Sequence, residues 1–316
     1  MHWGDLVSAK VAANGHLVLG IDPAPGHAPL ALSSRSSWFL RRYTEVLLDA
    51  AHGLVGFVKF QSAFFEACGS GGVAALARAI TVAKERGYAV ILDAKRGDIG
   101  STAEAYAQAY LTPAHAGGSD LEVDCLTVNP FLGPETMEPF VARARDFGKG
   151  LFVLVKTSNP GSGWLQDQRL KGGSVSELVA ELVARWAEAT MGVSGVGAVG
   201  AVVGATYPEE ASRLRKLMPR STFLAPGLGS QGGDARALSS LTTKNGPVLV
   251  SASRGIASVE DRGLPIETYK ALVRERITAY AAAAKPQVSW PDDPPLSKTS
   301  ETQWSSSDPL PSGYIG

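Results

Sequence analysis

Eight short apolar runs recur through the first 284 residues, and a stretch of helical character follows each one. This alternation limits the possible folds more than any other feature. The runs occupy residues 17–22, 56–61, 88–92, 125–130, 151–156, 198–205, 222–226 and 247–253. They are apolar along most of their length, as parallel strands covered on both faces should be. Helical segments are expected at 38–52, 73–86, from 100 onward, 134–147, 174–191, from 208 onward and 265–284. Their start signals are Ser36 or Ser37, Ser101 with Glu104, Ser174 with Glu177, and Pro208 with Glu209 and Glu210. Each of these residue types can satisfy or favour the free N–H groups of a first turn. Gly53 is the expected stop for the 38–52 helix.

Eight strand–helix units make one closed (β/α)8 TIM barrel, here over residues 1–284. An open doubly wound sheet also alternates in this way, but the count of eight favours closure. Residues 285–316 are rich in Pro and Ser and lack periodicity, so an extended or disordered tail is expected there.

Composition removes several function classes. The formal net charge is +0, which argues against a nucleic-acid binder. Only Cys68 and Cys125 are present, without a C-x-x-C or Cys/His cluster, so neither a disulfide framework nor a metal site is expected. No apolar run reaches the about 20 residues needed to span a bilayer, and no signal-peptide h-region is evident. The expectation is a cytoplasmic protein with no membrane or nucleic-acid partner.

Polar groups gather where the barrel topology places a mouth. The third run leads directly into Asp93-Ala94-Lys95-Arg96-Gly97-Asp98, four charges within six residues. Strand alternation sends Asp93 and Lys95 to the same face, and Gly97 permits a sharp turn before Asp98. Asp22, Lys59, Ser158 and Arg254 stand at or near the carboxyl ends of other runs. Taken singly, Asp22 could start a turn and Lys59 could snorkel. Together they converge on one mouth, where barrel active sites sit. The loops after the seventh and eighth runs are the usual phosphate-binding pair of such barrels. Here the first is Gly-rich and contains Gln231, and the second is Ser253-Arg254-Gly255. Glycine lets backbone N–H groups approach an anion, and Arg can grip it bidentately.

These residues resemble a known family. Asp93-Ala94-Lys95-Arg96-Gly97-Asp98-Ile99-Gly100 with Thr102 is similar to the signature of the orotidine 5′-phosphate decarboxylases, in particular their longer bacterial subfamily, type 2. Leu19-Gly20-Ile21-Asp22, Val58-Lys59, Thr157-Ser158-Asn159-Pro160-Gly161, Ala225-Pro226-Gly227 and Ser253-Arg254-Gly255 follow in the matching order. The resemblance implies a homodimer that converts orotidine 5′-monophosphate to UMP and CO2 in pyrimidine biosynthesis, with no cofactor. It implies a charge network of Lys59, Asp93, Lys95 and Asp98, with Lys95 the proton donor to C6. Asp98 and Thr102 would reach into the neighbouring subunit's site. Asp22 and Lys59 would bind ribose hydroxyls, and Ser158 would contact the pyrimidine beside Pro226. Gln231 and Arg254 would hold the 5′-phosphate, with Gly255 in the same loop.

Segments 113–124 and 161–173 are longer than in compact members, so the neighbours of Ser158 are less determined than the charge network. Two rival readings use the same barrel. A Mg-dependent sugar-acid-phosphate decarboxylase would need a carboxylate metal ligand where Lys59 stands. A catalytically silent phosphate-binding barrel would be expected to lose part of the charge network.

Overall fold

The computed structural model describes residues 1–32, 36–204, 208–226 and 241–285. Gln231, the rest of the Gly-rich loop from Gly227, and residues 286–316 of the expected tail lie outside the described residues.

The eight apolar runs form a single parallel ring. The strands are β1 (Leu17–Ile21), β2 (Phe57–Gln61), β3 (Ala89–Arg96), β4 (Cys125–Val128), β5 (Gly150–Lys156), β6 (Val199–Val203), β7 (Phe223–Pro226) and β8 (Val248–Ala252). Each pairs with its neighbours in sequence, and β1 pairs with both β2 and β8, which closes the barrel. Closure leaves no strand of this ring with an unpaired edge. Helices follow the strands and bury one stripe each. In Ser37–Ala51, Phe39, Leu40, Tyr43, Val46 and Leu47 face inward at helical spacing.

Three of the expected helix starts form as read. Ser36 Oγ accepts from the Phe39 N–H at 3.3 Å, Ser174 with Glu177 makes a reciprocal capping box, and Pro208 opens the helix Pro208–Leu217 with Glu209 and Glu210 in its first turn. The fourth does not. Ser101 sits inside the first turn of Gly100–Leu111, whose cap position is Ile99 without a side-chain bond. The Gly97–Asp98 turn delivers the chain to the helix early, and Asp98 Oδ1 accepts the Ile99 N–H at 2.8 Å instead.

The sequence pattern carried no expectation for the helix Trp3–Asn14, which precedes β1. Trp3 is buried and meets Phe57 and Phe152 edge-on, at 6.4 and 6.1 Å between ring centroids. Those rings stand at the amino-terminal ends of β2 and β5, so the indole plugs the end of the barrel opposite the mouth. A Cβ at Gly150 would stand 2.5 Å from the Trp3 ring, which explains a glycine at the start of β5. Among the described residues no helix is long and apolar enough to cross a membrane.

Candidate active site

The mouth is organised by an irregularity in β3. Pairing with β4 runs from Leu92 opposite Leu126 to Arg96 opposite Val128, so β3 spends two extra residues over that interval. A bulge of this kind re-aims side chains. Lys95 takes a left-handed backbone, φ +49°, and is the only non-glycine among the described residues with positive φ. Its N–H donates to Thr127 Oγ1 at 2.9 Å. That bond and the bulge return the Lys95 side chain toward Asp93, so the two meet through a backbone distortion rather than simple alternation.

Asp93 is the hub. Its Oδ1 accepts from Lys95 Nζ at 2.5 Å and Thr127 Oγ1 at 3.0 Å. Its Oδ2 accepts from Lys59 Nζ at 3.0 Å and Gln61 Nε2 at 3.2 Å. Asp93 and Lys59 are only 8% and 6% exposed, a depth at which an unpaired charge would be prohibitive. Burial alone would push the Asp93 carboxyl up, but Lys59 and Lys95 outweigh it and hold it well below the usual carboxylate range. Burial likewise works against a charged Lys59, and the carboxylates of Asp93 and Asp22 hold it above its ordinary value. At neutral pH Asp93 is therefore an anion and Lys59 a cation, with Lys95 Nζ on the other carboxylate oxygen.

This array forms one wall of a cavity of about 310 Å³. Ser158 and Asn159 come from the exit of β5, Val202, Leu224 and Pro226 supply an apolar side, and Arg254 stands at the exit of β8. An adjoining cavity of about 370 Å³ shares Asp22, Ser253 and Arg254 and extends past Tyr43 and His27. Asp22 Oδ1 is buried and accepts no hydrogen bond among the described residues. A carboxylate with an unpaired oxygen, on a residue that lines both cavities, suits a ligand that brings a donor, such as a hydroxyl. The combined space thus offers a cationic anchor, a hydroxyl acceptor, a flat apolar wall and a lysine poised on a carboxylate.

Comparison with known proteins gives the same direction. Residues 16–269 match the model of the Orotidine 5'-phosphate decarboxylase / HUMPS family. The chain belongs to this family. An orotidine 5'-phosphate decarboxylase of Rhodopirellula baltica is 42% identical over 272 residues, covering 83% of this chain and 90% of that protein. One from Deinococcus radiodurans is 44% identical over 252 residues, covering 79% and 86%. A crystal structure of a Streptomyces avermitilis chain matches with a TM-score of 0.72 at 35% identity, covering 89% of this chain and 96% of its own.

For this member of the orotidine 5'-phosphate decarboxylase / HUMPS family, the structure brings together Asp22, Lys59, Asp93, Lys95, Ser158, Pro226 and Arg254 in one cavity. Asp98 and Thr102 do not line it. Asp98 is half-buried beyond the Gly97 turn and Thr102 is exposed on the following helix. Gly255 is also outside the lining. A Cβ there would stand 2.0 Å from Tyr280 Oη, so its side-chain-free form serves packing. Arg96, the remaining charge of the motif, turns away from the mouth. It pairs with Glu66 and lies 5.6 and 5.8 Å from the ring centroids of Tyr106 and Tyr110.

Several polar neighbours escaped the sequence reading, with Thr157, Ser251 and Ser253 among the cavity's lining. Gln61 and Thr127 complete the shell of Asp93, and Asn159 lines the cavity. Gln61 could have been found, since it lies two residues after Lys59 on the same strand face. Thr127 is the lone polar side chain of β4 and is fully buried. Among the described residues no group of three or more His, Cys, Asp or Glu is placed to hold a metal ion.

Proposed function

We propose that the chain removes CO2 from orotidine 5′-monophosphate to give UMP, with Lys95 as the proton donor. The observation that carries this reading is the Lys59–Asp93–Lys95 array facing Arg254 across one cavity. The C6–carboxylate bond breaks and its electron pair remains at C6, where no adjacent π-system drains it. Lys95 stabilises that charge through space and then forms the new C6–H bond with its Nζ proton. Asp93 holds the lysine in position, and its negative field opposes a second carboxylate nearby in the ground state. Asp22 and Lys59 bind ribose hydroxyls, with the Asp22 carboxylate as acceptor. Ser158 contacts the pyrimidine against Pro226. Arg254, with Gln231 from the adjoining loop, grips the 5′-phosphate, whose remote binding energy organises the reacting end.

In this reading the working unit is a homodimer. Asp98 and Thr102, which do not reach their own cavity, enter the site of a second copy. Exposed Ile99, Phe131 and Leu132 flank them at the neighbouring exits of β3 and β4, at 61%, 73% and 48% exposure. Apolar side chains grouped beside an incomplete site suit a covered interface. The Mg-dependent rival would put a carboxylate ligand where the buried Lys59 ammonium stands. The reaction described needs no added cofactor, and the protein works on a soluble cytoplasmic metabolite.

The test is UMP formation from orotidine 5′-monophosphate, with and without EDTA. Turnover that is insensitive to the chelator and lost in Lys95→Ala supports the reading. UMP binding without turnover assigns the protein to the silent barrels, and chelator-sensitive activity assigns it to the metal-dependent group. Mixing Lys95→Ala with Asp98→Ala subunits should regain activity, because one mixed site carries neither lesion. No recovery after confirmed subunit exchange refutes the shared site.

A further inference from the structure

The exit of β5 presents Ser158 to the cavity, yet the segment Thr157–Asn159 lies beyond the strand ladder that fixes the other polar groups. What holds it comes from the long segment 161–173. Gln166 Oε1 accepts the Thr157 N–H at 2.9 Å, and Gln166 Nε2 donates to Thr157 Oγ1 at 2.9 Å. Thr157 Oγ1 in turn donates to Asn159 Oδ1 at 2.7 Å. The next residue, Asp167, pairs with Lys156, whose side chain is 1% exposed and also lies 3.4 Å from Glu210. Two consecutive residues of the insertion thus grip two consecutive residues at the end of β5. The insertion is itself tied down, since the Gln166 carbonyl accepts from Ser176 Oγ at 2.8 Å beside the Ser174–Glu177 capping box. On the opposite side, the Gly204 N–H donates to the Lys156 carbonyl at 2.8 Å. A Cβ at Gly204 would stand 3.1 Å from both Cα and Cβ of Ser158. Ser158 is therefore seated between the Gln166 bracket and the backbone of the β6 exit.

We propose that Gln166, supported by the Lys156–Asp167 pair, is a positioning residue that holds Ser158 at the base-binding wall. The proposal rests on the decarboxylase reading and on Ser158 as the pyrimidine contact. A bidentate amide fixes both position and tilt of the Thr157 peptide, and small misplacements of a binding group are costly to a reaction.

The test is a double-mutant cycle in kcat/KM for orotidine 5′-monophosphate. Gln166→Ala removes two hydrogen bonds and should lower kcat/KM by about tenfold. Gln166→Glu keeps the acceptor for the Thr157 N–H and should fall by less. In a Ser158→Ala background, Gln166→Ala should change kcat/KM by no more than roughly twofold, because the group it positions is gone. A general loss of stability would instead give additive effects and a parallel drop in melting temperature for both Gln166 variants. Additive losses overturn the proposal, as does a wild-type rate in Gln166→Ala or a silent Ser158→Ala beside an impaired Gln166→Ala. A wild-type protein that does not decarboxylate the substrate refutes the underlying reading instead.

Discussion

Replacing Asp93 by Asn tests whether one carboxylate holds the mouth together. The substitution keeps the shape and deletes the charge between two lysines. The amide oxygen can still accept hydrogen bonds, but its NH2 group points at donors that formerly met an oxygen. Lys59 suffers most, because its ammonium is 3.0 Å from Asp93 and both side chains are about one-tenth exposed or less. Two charges at that distance attract by about 5 kcal/mol at an effective dielectric of about 20. Stranding one member of a buried pair costs about 3–5 kcal/mol. Asp22 remains as a second anion near Lys59, so the lower end, about 3 kcal/mol, is expected. The Lys95 contact adds little to stability, since its side chain is 45% exposed and screened. For a chain of this size the loss lowers the melting temperature by about 5 °C.

The pH dependence fixes the sign. The folded Lys59 value is raised, so its contribution is complete below the unfolded lysine value of about 10.4 and is lost only as pH rises through the folded one. The folded Asp93 value is depressed, so its contribution is complete above about 4 and is lost as pH falls through the folded value. Without Asp93, burial becomes the dominant influence on Lys59 and brings its folded value below the unfolded one. The unfolded variant then binds more protons than the folded one, and its stability rises with pH. The gap to wild type should narrow from neutral toward alkaline pH. Thermal melts at a series of pH values measure it. A variant that melts within about 2 °C of wild type, with the same pH profile, would refute the view of Asp93 as the hub.

Other outcomes follow from the same geometry. Arg254→Ala should lower kcat/KM by roughly 10- to 150-fold, the range for losing hydrogen bonds to a charged group, read from initial rates. Trp3→Ala should cost about 3–5 kcal/mol by chemical denaturation, with kcat of the folded protein little changed because the plug lies opposite the mouth. Phe131→Glu should shift the protein toward monomer in analytical ultracentrifugation and reduce activity along with assembly.

The barrel was legible because its signal is spread over eight apolar runs, so no single misreading could change the count. Most of the polar ring was legible too, since a charge at the end of a buried strand is conspicuous. What escaped depends on contacts between distant segments. The β3 bulge has no local mark, because Lys95 becomes left-handed only through Thr127 on the next strand. The Ser101 cap failed because a tight turn outside the helix decided where it begins. Trp3–Asn14 was missed because only Trp3, Gly4 and Val7 are buried, too few to write a stripe. The Gln166 bracket lies in a segment conspicuous for its length, but partners nine residues apart across a loop follow no period.

The four donors around Asp93 have a further chemical consequence. A carboxylate offers about four lone-pair positions, and here each is directed at a donor. Such a group has no vacancy for a proton and none to hand back. In the proposed reaction Lys95 gives its proton away, and its nearest anion cannot restore it. The replacement must arrive through the solvent-facing side of the lysine, which is 45% exposed. The proton gained at C6 is thus solvent-derived, and turnover in heavy water should leave deuterium at C6 of the product.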